Sequence, residues 1–433
     1  MHSQAWDSWL NSLINYEKAP AYDYDLAAFR GFLGRIGSPQ DRLKNVILIA
    51  GTKGKGSTCA ILNSCLVAAG YRVGLYTSPH LKKVNERIRV NHRPVTDREL
   101  AGYIGKIKPY VNYGEHEGAR SYFEALTAVA FLHFIKHKVD FTILEVGLGG
   151  RRDATNVSHP IVSVITRIGF DHTNLLGKKL SGIAFEKAGI IHDQGTTVTI
   201  HQRPIVEKIL RAEVRKRRQR MVFAESLHDL KITRSTLAGT AYRVTGKLGM
   251  FDLFLPLTGT HQRENLALAL AVLSELKDRG FKITKPRIVH GLRRTELAGR
   301  FETISRDPLV IYDAAHNEDS FRALEKNLAL LRGKKLYLIF GCSSDKDIGY
   351  CIRHIFPRAR RILLVKADHP RALEPAEILK IAKKSGNRIV VAGTVKKALN
   401  LIRLIKDKNE DIAVIIFGSF YLYNQIDRFK SVH

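Results

Sequence analysis

Short apolar runs, each about the length of one strand, recur along the chain with helical patterns between them. "NVILIAG", "YRVGLYTS", "VDFTILEVG", "IVSVITRIG" and "TTVTIH" form a first series. A strand without polar alternation is buried on both faces. Such strands separated by helices make a parallel sheet covered on both sides. A second series begins near Phe301: "LVIYDAAHN", "KKLYLIFGCS", "RRILLVKAD", "NRIVVAG" and "DIAVIIFGS". Between the two, "AYRVTGKLGMFDLFLPLTG" breaks the rhythm and reads as an antiparallel insertion. "HQRENLALALAVLSELKDRG" reads as a long amphipathic helix, and "KPRIVHGLRRTELAGRFE" joins the series. A chain of 433 residues is too long for one ordinary domain. The boundary is placed near Glu296, giving domains 1–295 and 296–433.

No apolar stretch is long enough to span a bilayer, and the N-terminal stretch "MHSQAWDSWLNSLINYEKAP" lacks the apolar core of a signal peptide. A cytoplasmic protein is expected. Cys59, Cys65, Cys342 and Cys351 form no CxxC pair, so neither a zinc site nor a disulfide framework is indicated. Cys59 and Cys65 fall in an apolar helical pattern and read as packing residues. The net charge of +29 suits an anionic partner, but the basic residues are scattered. The one dense block, "RAEVRKRRQR", reads as the solvated end of a surface helix.

The chemistry starts at "GTKGKGS", Gly51 to Ser57, between the first strand and the helix "STCAILNSCLVAAG". A strand, a glycine turn and a helix start make an anion site, because backbone N–H groups and the helix dipole point inward. Lys55 can reach a terminal phosphate and the Ser57 hydroxyl can ligate Mg²⁺. The spacing G-x-x-G-K-G-S departs from the usual phosphate-loop pattern, and alone it fits a plain glycine-rich turn. Three further loops follow strands: "TSPHL", "ILEVGLGGRRDATN" with Glu145, Arg151 and Asp153, and "GFDHTNLLG" with Asp171 and His172. Open α/β sheets bind ligands beyond the carboxyl ends of their strands. A hydroxyl, a carboxylate and an imidazole at one such edge can hold two Mg²⁺ ions around a triphosphate. Singly, Glu145 also fits a buried ion pair and His172 a cap or core histidine.

The motifs "GTKGKGS", "TSPHL", "SYFEALT", "LEVGLGGRRDATN", "DHTNLLG", "FEKAGII", "HQRENLALAL", "GRFE" and "YDAAHN" occur in one order over nearly the whole chain. In them the chain resembles the folylpolyglutamate synthase/dihydrofolate synthase family, within the Mur ligase superfamily. The resemblance implies a two-domain α/β Mur ligase-like fold. The N-terminal domain would be a P-loop ATPase with a mostly parallel sheet and a folate site. The C-terminal glutamate-ligase domain would be smaller and Rossmann-like. It implies an ATP-dependent amide ligase that adds L-glutamate to folates, and also to dihydropteroate, through an acyl phosphate. Its partners would be small molecules, with no membrane or specific nucleic acid, acting on a monomer. By the same resemblance Gly54, Lys55, Gly56 and Ser57 hold the ATP phosphates. Ser57, Ser78, Glu145 and His172 hold two Mg²⁺ ions, and Lys187 is the lysine that is carbamylated. Asn265, Arg300 and Asp313 contact ATP, and Lys55, Asp153, His172, Lys187 and His316 serve the chemistry. Because Arg300 and Asp313 lie past the boundary, the nucleotide would be completed by domain closure around Leu297 to Gly299.

The pterin end falls on Asp25, Leu26 and Ala27, on Phe123 and on Arg152; Phe123 and Glu124 fit packing and a helix cap equally well. Three positions depart from the family pattern: Lys53 for Asn, Arg152 for Leu and Asn174 for Asp. Each adds positive charge or removes negative charge near an anionic site. Competing readings are a ligase confined to polyglutamylation, a cell-wall Mur-type ligase, and a basic nucleic-acid-binding P-loop protein.

Overall fold

The computed structural model describes residues 3–13, 25–111, 120–171, 173–382, 388–405 and 410–426. The chain divides into two compact units. One takes Met1–Lys231, Tyr242–Phe254 and Gln262–Thr295; the other takes Ile232–Ala241, Leu255–His261 and Glu296–His433.

The first unit holds the strands β1 (Val46–Ala50), β2 (Val73–Tyr76), β3 (Ile88–Val90), β4 (Arg93–Pro94), β5 (Phe141–Glu145), β6 (Pro160–Ile165), β7 (Thr196–Thr199) and β8 (Arg220–Phe223). They form one sheet in the order β4-β3-β2-β5-β1-β6-β7-β8. The six strands from β2 to β8 in that order run parallel, and β3 and β4 add an antiparallel edge. From β1 the chain first builds outward through β2 and then crosses to the other side of β1 at β6. That reversal makes the end of β1 the switch point, where open sheets leave a crevice.

The helices of this part are α1 (Ser3–Ser12), α2 (Leu26–Arg35), α3 (Lys55–Ala68), α4 (Asp97–Ile107), α5 (Tyr122–Lys136), α6 (Thr173–Leu176), α7 (Leu180–Ala188), α8 (Pro204–Lys216), α9 (Ala224–Leu227), α10 (Gln262–Asp278) and α11 (Lys285–Arg293). Two of them, α3 and α10, are buried on nearly every face. An all-round apolar helix belongs inside, and α3 packs against α10 and α11. Gly291 of α11 touches the α3 backbone so closely that a Cβ there would stand 2.6 Å from Cys65 Cα. Helix α11 lies inside the stretch read as a joining segment; only Ile288, Gly291 and Leu292 of it are buried. The strands β9 (His228–Thr236), β10 (Gly239–Gly246) and β11 (Phe251–Leu255) form a separate three-stranded sheet with β10 central. Connections of two and four residues allow only antiparallel neighbours. Strand β9 lies upstream of the stretch read as the insertion; it is mostly exposed and polar. The dense basic block covers the last turns of α8 and the start of β8. There Arg211 pairs with Glu207, Arg217 with Asp193 and Glu213, and Arg220 with Glu275.

The second unit carries β12 (Glu302–Arg306), β13 (Leu309–Asp313), β14 (Lys335–Phe340), β15 (Arg361–Val365), β16 (Ile389–Gly393) and β17 (Ile412–Phe417). Their order is β12-β13-β17-β14-β15-β16, all parallel except the β12 edge. The helices α12 (Glu318–Asn327), α13 (Gly349–His354), α14 (Pro375–Ile381) and α15 (Val395–Ile405) connect them. A core of Ile311, Leu338, Phe340, Leu364, Ile415 and Phe417 fills this sheet's contact with its helices. Among the described residues no helix is long and apolar enough to cross a membrane.

Candidate active site

The chain leaves β1 into a tight glycine corner. Gly51 has φ +149, and a Cβ there would fall on Thr166 Oγ1. The backbone N–H groups of Thr52 and Lys53 donate to Arg167 O at 2.8 and 3.1 Å. The Thr52 hydroxyl bonds both Gly169 O and Gly169 N at 3.1 Å. The loop is therefore pinned to the segment after β6 before any ligand arrives. Gly54, at φ +92, begins α3, and no side chain caps that helix. Its first N–H groups are the donors an anion takes. Lys55 folds over the loop, with Nζ 3.1 Å from Gly51 O. Ser57 is buried one turn in. From the other side, Asn265 in the first turn of α10 sits on Gly54, where a Cβ would strike its Oδ1. Its Nδ2 donates to Gln262 Oε1 at 2.8 Å, which fixes which way the amide points.

Two carboxylate-bearing loops close on this corner. Glu145 ends β5, opposite Ile49 of β1, and is buried. Its Oε2 accepts from Ser78 N at 3.2 Å, and both its oxygens lie 3.7 Å from the Cβ position of Gly56. Ser78, Glu145 and the first turn of α3 thus meet at one point. Asp153 lies in the loop that follows β5. Its Oδ2 accepts from Gly147 N and Leu148 N, each at 3.0 Å, and its Oδ1 from the Thr155 N–H and hydroxyl. Buried, it ties the "GLGGRRDATN" loop together through these hydrogen bonds.

Lys187, at the C-terminal end of α7, is 5% exposed and has no ion pair among the described residues. Burial, assisted by the nearby Lys55 charge, lowers its amine from 10.5 to about 7, with Asp171 and Asp153 opposing. Arg151 N donates to Glu186 O at 2.7 Å, which ties the Asp153 loop to the end of α7. Lys53 pairs with Asp171 at 3.3 Å. The positive charge that departs from the family pattern is thereby offset next to the loop. Its partner stands 118 residues away, so no local signal in the sequence gives the pair. His172 lies outside the described residues, as does the side chain of Asn174.

Of the pterin candidates, Phe123 is partly buried and packs its ring 5.5 Å from that of Tyr76. Gly147 lies under it, with Phe123 Cζ 2.7 Å from the position of a Cβ. Glu124 forms a capping box with Ser121 and bonds Arg120. Asp25 caps α2, accepting from Ala27 N and Ala28 N at 2.7 and 3.2 Å, so its carboxylate serves the helix. Leu26 is half-buried; Ala27 and Arg152 are exposed.

In the second unit, Asp313 ends β13 and is half-buried; burial pushes its carboxyl up to about 6 against the pull of Arg300. Its oxygens accept from Phe301 N and Ala315 N, each at 2.8 Å, which joins "GRFE" to "YDAAHN". The Arg300 guanidinium lies 5.2 Å from the Phe420 ring centre, and His316 packs on the same ring. Arg300, Asp313 and His316 are therefore gathered at one end of β13.

Comparison with known proteins bears on this arrangement. Residues 49–273 match the Mur ligase middle domain, and residues 299–420 match the Mur ligase glutamate ligase domain. The chain is 33% identical over 431 residues to the dihydrofolate synthase/folylpolyglutamate synthase of Bacillus subtilis, covering 97% of each. The chain belongs to the dihydrofolate synthase/folylpolyglutamate synthase family. The folylpolyglutamate synthase of Lacticaseibacillus casei is 31% identical, with 91% of each chain covered. The Mycobacterium tuberculosis folylpolyglutamate synthase complexed with ADP superposes with a TM-score of 0.89 at 28% identity, covering 100% of this chain and 99% of that one. E. coli FolC in complex with DHPP and ADP gives 0.84 at 27%, covering 99% and 98%.

Proposed function

We propose that this chain is an ATP-dependent ligase that joins L-glutamate to reduced folates, and also to dihydropteroate. The observation that carries the reading is the meeting of an uncapped α3 N-terminus, the Ser57 hydroxyl and the Ser78-bonded Glu145 carboxylate at the switch point of the sheet. Hard oxygen donors of this kind fit Mg²⁺, and the cradle at Gly54 admits phosphate where a side chain would block it. Ser57, Ser78, Glu145 and His172 would hold Mg²⁺, which neutralises charge on the transferring phosphoryl group.

A substrate carboxylate oxygen attacks the γ-phosphorus of ATP, and ADP leaves. The amine nitrogen of glutamate then attacks the carbonyl carbon of the acyl phosphate, loses a proton, and expels inorganic phosphate. The chain's residues act by position and charge. The N–H groups at the start of α3 and the Lys55 ammonium hold the phosphates, while Asp153 fixes the neighbouring loop. We assign Lys187 as a carbamate: burial lowers its amine to about 7, which favours the unprotonated form that adds carbon dioxide. Asn265, Arg300 and Asp313 are assigned to the nucleotide, Phe123, Arg152 and the segment Asp25 to Ala27 to the pterin, and His316 to the phosphates. The substrates are small molecules, and the reaction calls for neither a membrane nor a second chain.

The test is a substrate panel: ATP and glutamate with either dihydropteroate or tetrahydrofolate, following ADP and the ligated product. Both acceptors should be consumed. Turnover of tetrahydrofolate alone would restrict the chain to polyglutamylation, the activity named for the Lacticaseibacillus casei relative. Glu145→Gln keeps an acceptor for Ser78 N but removes the charge, and should cost several kcal/mol of barrier. Near-normal turnover of that variant would remove Glu145 from the metal site.

A further inference from the structure

Away from the phosphate corner, α4 and α5 bring three side chains to one point. His133 and His137 stand four residues apart near the end of α5, so their rings leave the same face, with centroids 4.4 Å apart. Glu99, in the first turn of α4, places Oε1 3.2 Å from His137 Nε2. Each of the three offers a ligand atom within 4.8 Å of the other two, and among the described residues no other three His, Cys, Asp or Glu side chains meet this closely. Two ligands of a tetrahedral zinc ion, each about 2.0–2.1 Å from the metal, stand roughly 3.3–3.4 Å apart. The Glu99–His137 spacing is close to that value, and the His133 ligand atom lies within 4.8 Å of both.

The surroundings fit a cation held by neutral imidazoles and one carboxylate. His133 is 2% exposed. The side chains of His137 and Glu99 are 36% and 24% exposed, which leaves one side open for a water ligand. The outer contacts orient the set, as they do around metal-bound imidazole. Glu99 Oε2 accepts from the Thr96 N–H and hydroxyl at 3.0 and 2.8 Å. Tyr103 OH lies 3.2 Å from His133 Nδ1, and Arg72 Nη1 donates to His137 O at 2.8 Å. The His133 and His137 rings are tilted by 54° to one another. The cations facing the set are Arg72, at His137 O, and Lys136, over the Tyr103 ring. All four cysteines are buried elsewhere and offer no competing thiolate.

We propose that Glu99, His133 and His137 bind one zinc ion that staples α4 to the end of α5. Imidazole with carboxylate selects zinc over Mg²⁺, which prefers oxygen alone. The site is separate from the ligase centre. Phe123 lies ten residues earlier on the same helix, about 15 Å away along its axis.

The experiment is calorimetric titration of the chelator-treated full chain with zinc chloride in millimolar Mg²⁺, which occupies the oxygen sites. The expected result is one tight site per chain and a melting temperature that climbs with zinc concentration. His137→Ala, a half-exposed position, should weaken binding by more than roughly 100-fold and abolish the thermal shift, with ligation unchanged. Glu99→Gln should do the same to binding. Absence of a zinc site at micromolar metal in the parent chain, or equal affinity in His137→Ala, overturns the proposal.

Discussion

Replacing Lys187 by Met should stabilise the chain at neutral pH while abolishing ligation. The amine titrates at 10.5 when unfolded and at about 7 in the folded chain, because burial disfavours its charged form. Between these values the unfolded state binds more protons, so stability rises with pH across the window. The penalty is full below pH 7 and disappears as pH climbs through 10.5. At about 1.4 kcal/mol per pH unit, it is worth about 4 kcal/mol at pH 7 and about 2 kcal/mol at pH 9. Met fills a similar volume and carries no charge, so it removes the penalty without opening a cavity. Urea unfolding of both proteins at pH 7, 8 and 9, in buffer stripped of carbon dioxide, measures the gap directly. The variant should be the more stable, by a margin that shrinks with pH, and added bicarbonate should not restore its turnover. A variant less stable than the parent at pH 7, or a gap that ignores pH, would refute the reasoning.

Gly147→Ala puts a methyl 2.7 Å from Phe123 Cζ and must turn that ring; the KM for the folate acceptor should rise severalfold with the KM for ATP nearly constant, as steady-state kinetics would read. Asp153→Asn leaves an NH₂ group facing N–H donors on one side of the loop. It should cost about 2–3 kcal/mol, seen as a lower melting temperature, and an unchanged one would deny Asp153 its positioning role.

The parallel strands were legible because burial on both faces writes an unbroken apolar run; β1 and β17 show it throughout, and β14 after its first residue. Edge and half-exposed elements left no such mark. Strand β12, "ETISR", has no buried residue, and α11 buries only three. The glycine corner and the place of Glu145 were readable because a glycine turn and a strand-end carboxylate are local patterns. The hydrogen bonds of Asp153 were not, since its partners include the N–H groups of Gly147 and Leu148, which any residue but proline supplies. Nor was the approach of Glu99 to His133 and His137, which depends on how two helices pack.

The contact between Gly54 and Asn265 has a consequence for how this chain can change. A side chain at position 54 collides with the amide at 265, and at φ +92 it also strains the backbone. Shrinking residue 265 first removes the collision but abandons the amide that lies on the glycine corner. Each single step is expected to cost stability or activity whether or not the other substitution would later compensate. The two positions, 211 residues apart, therefore behave as one heritable character. In a pairwise mutational library their effects should deviate from additivity in sign as well as size.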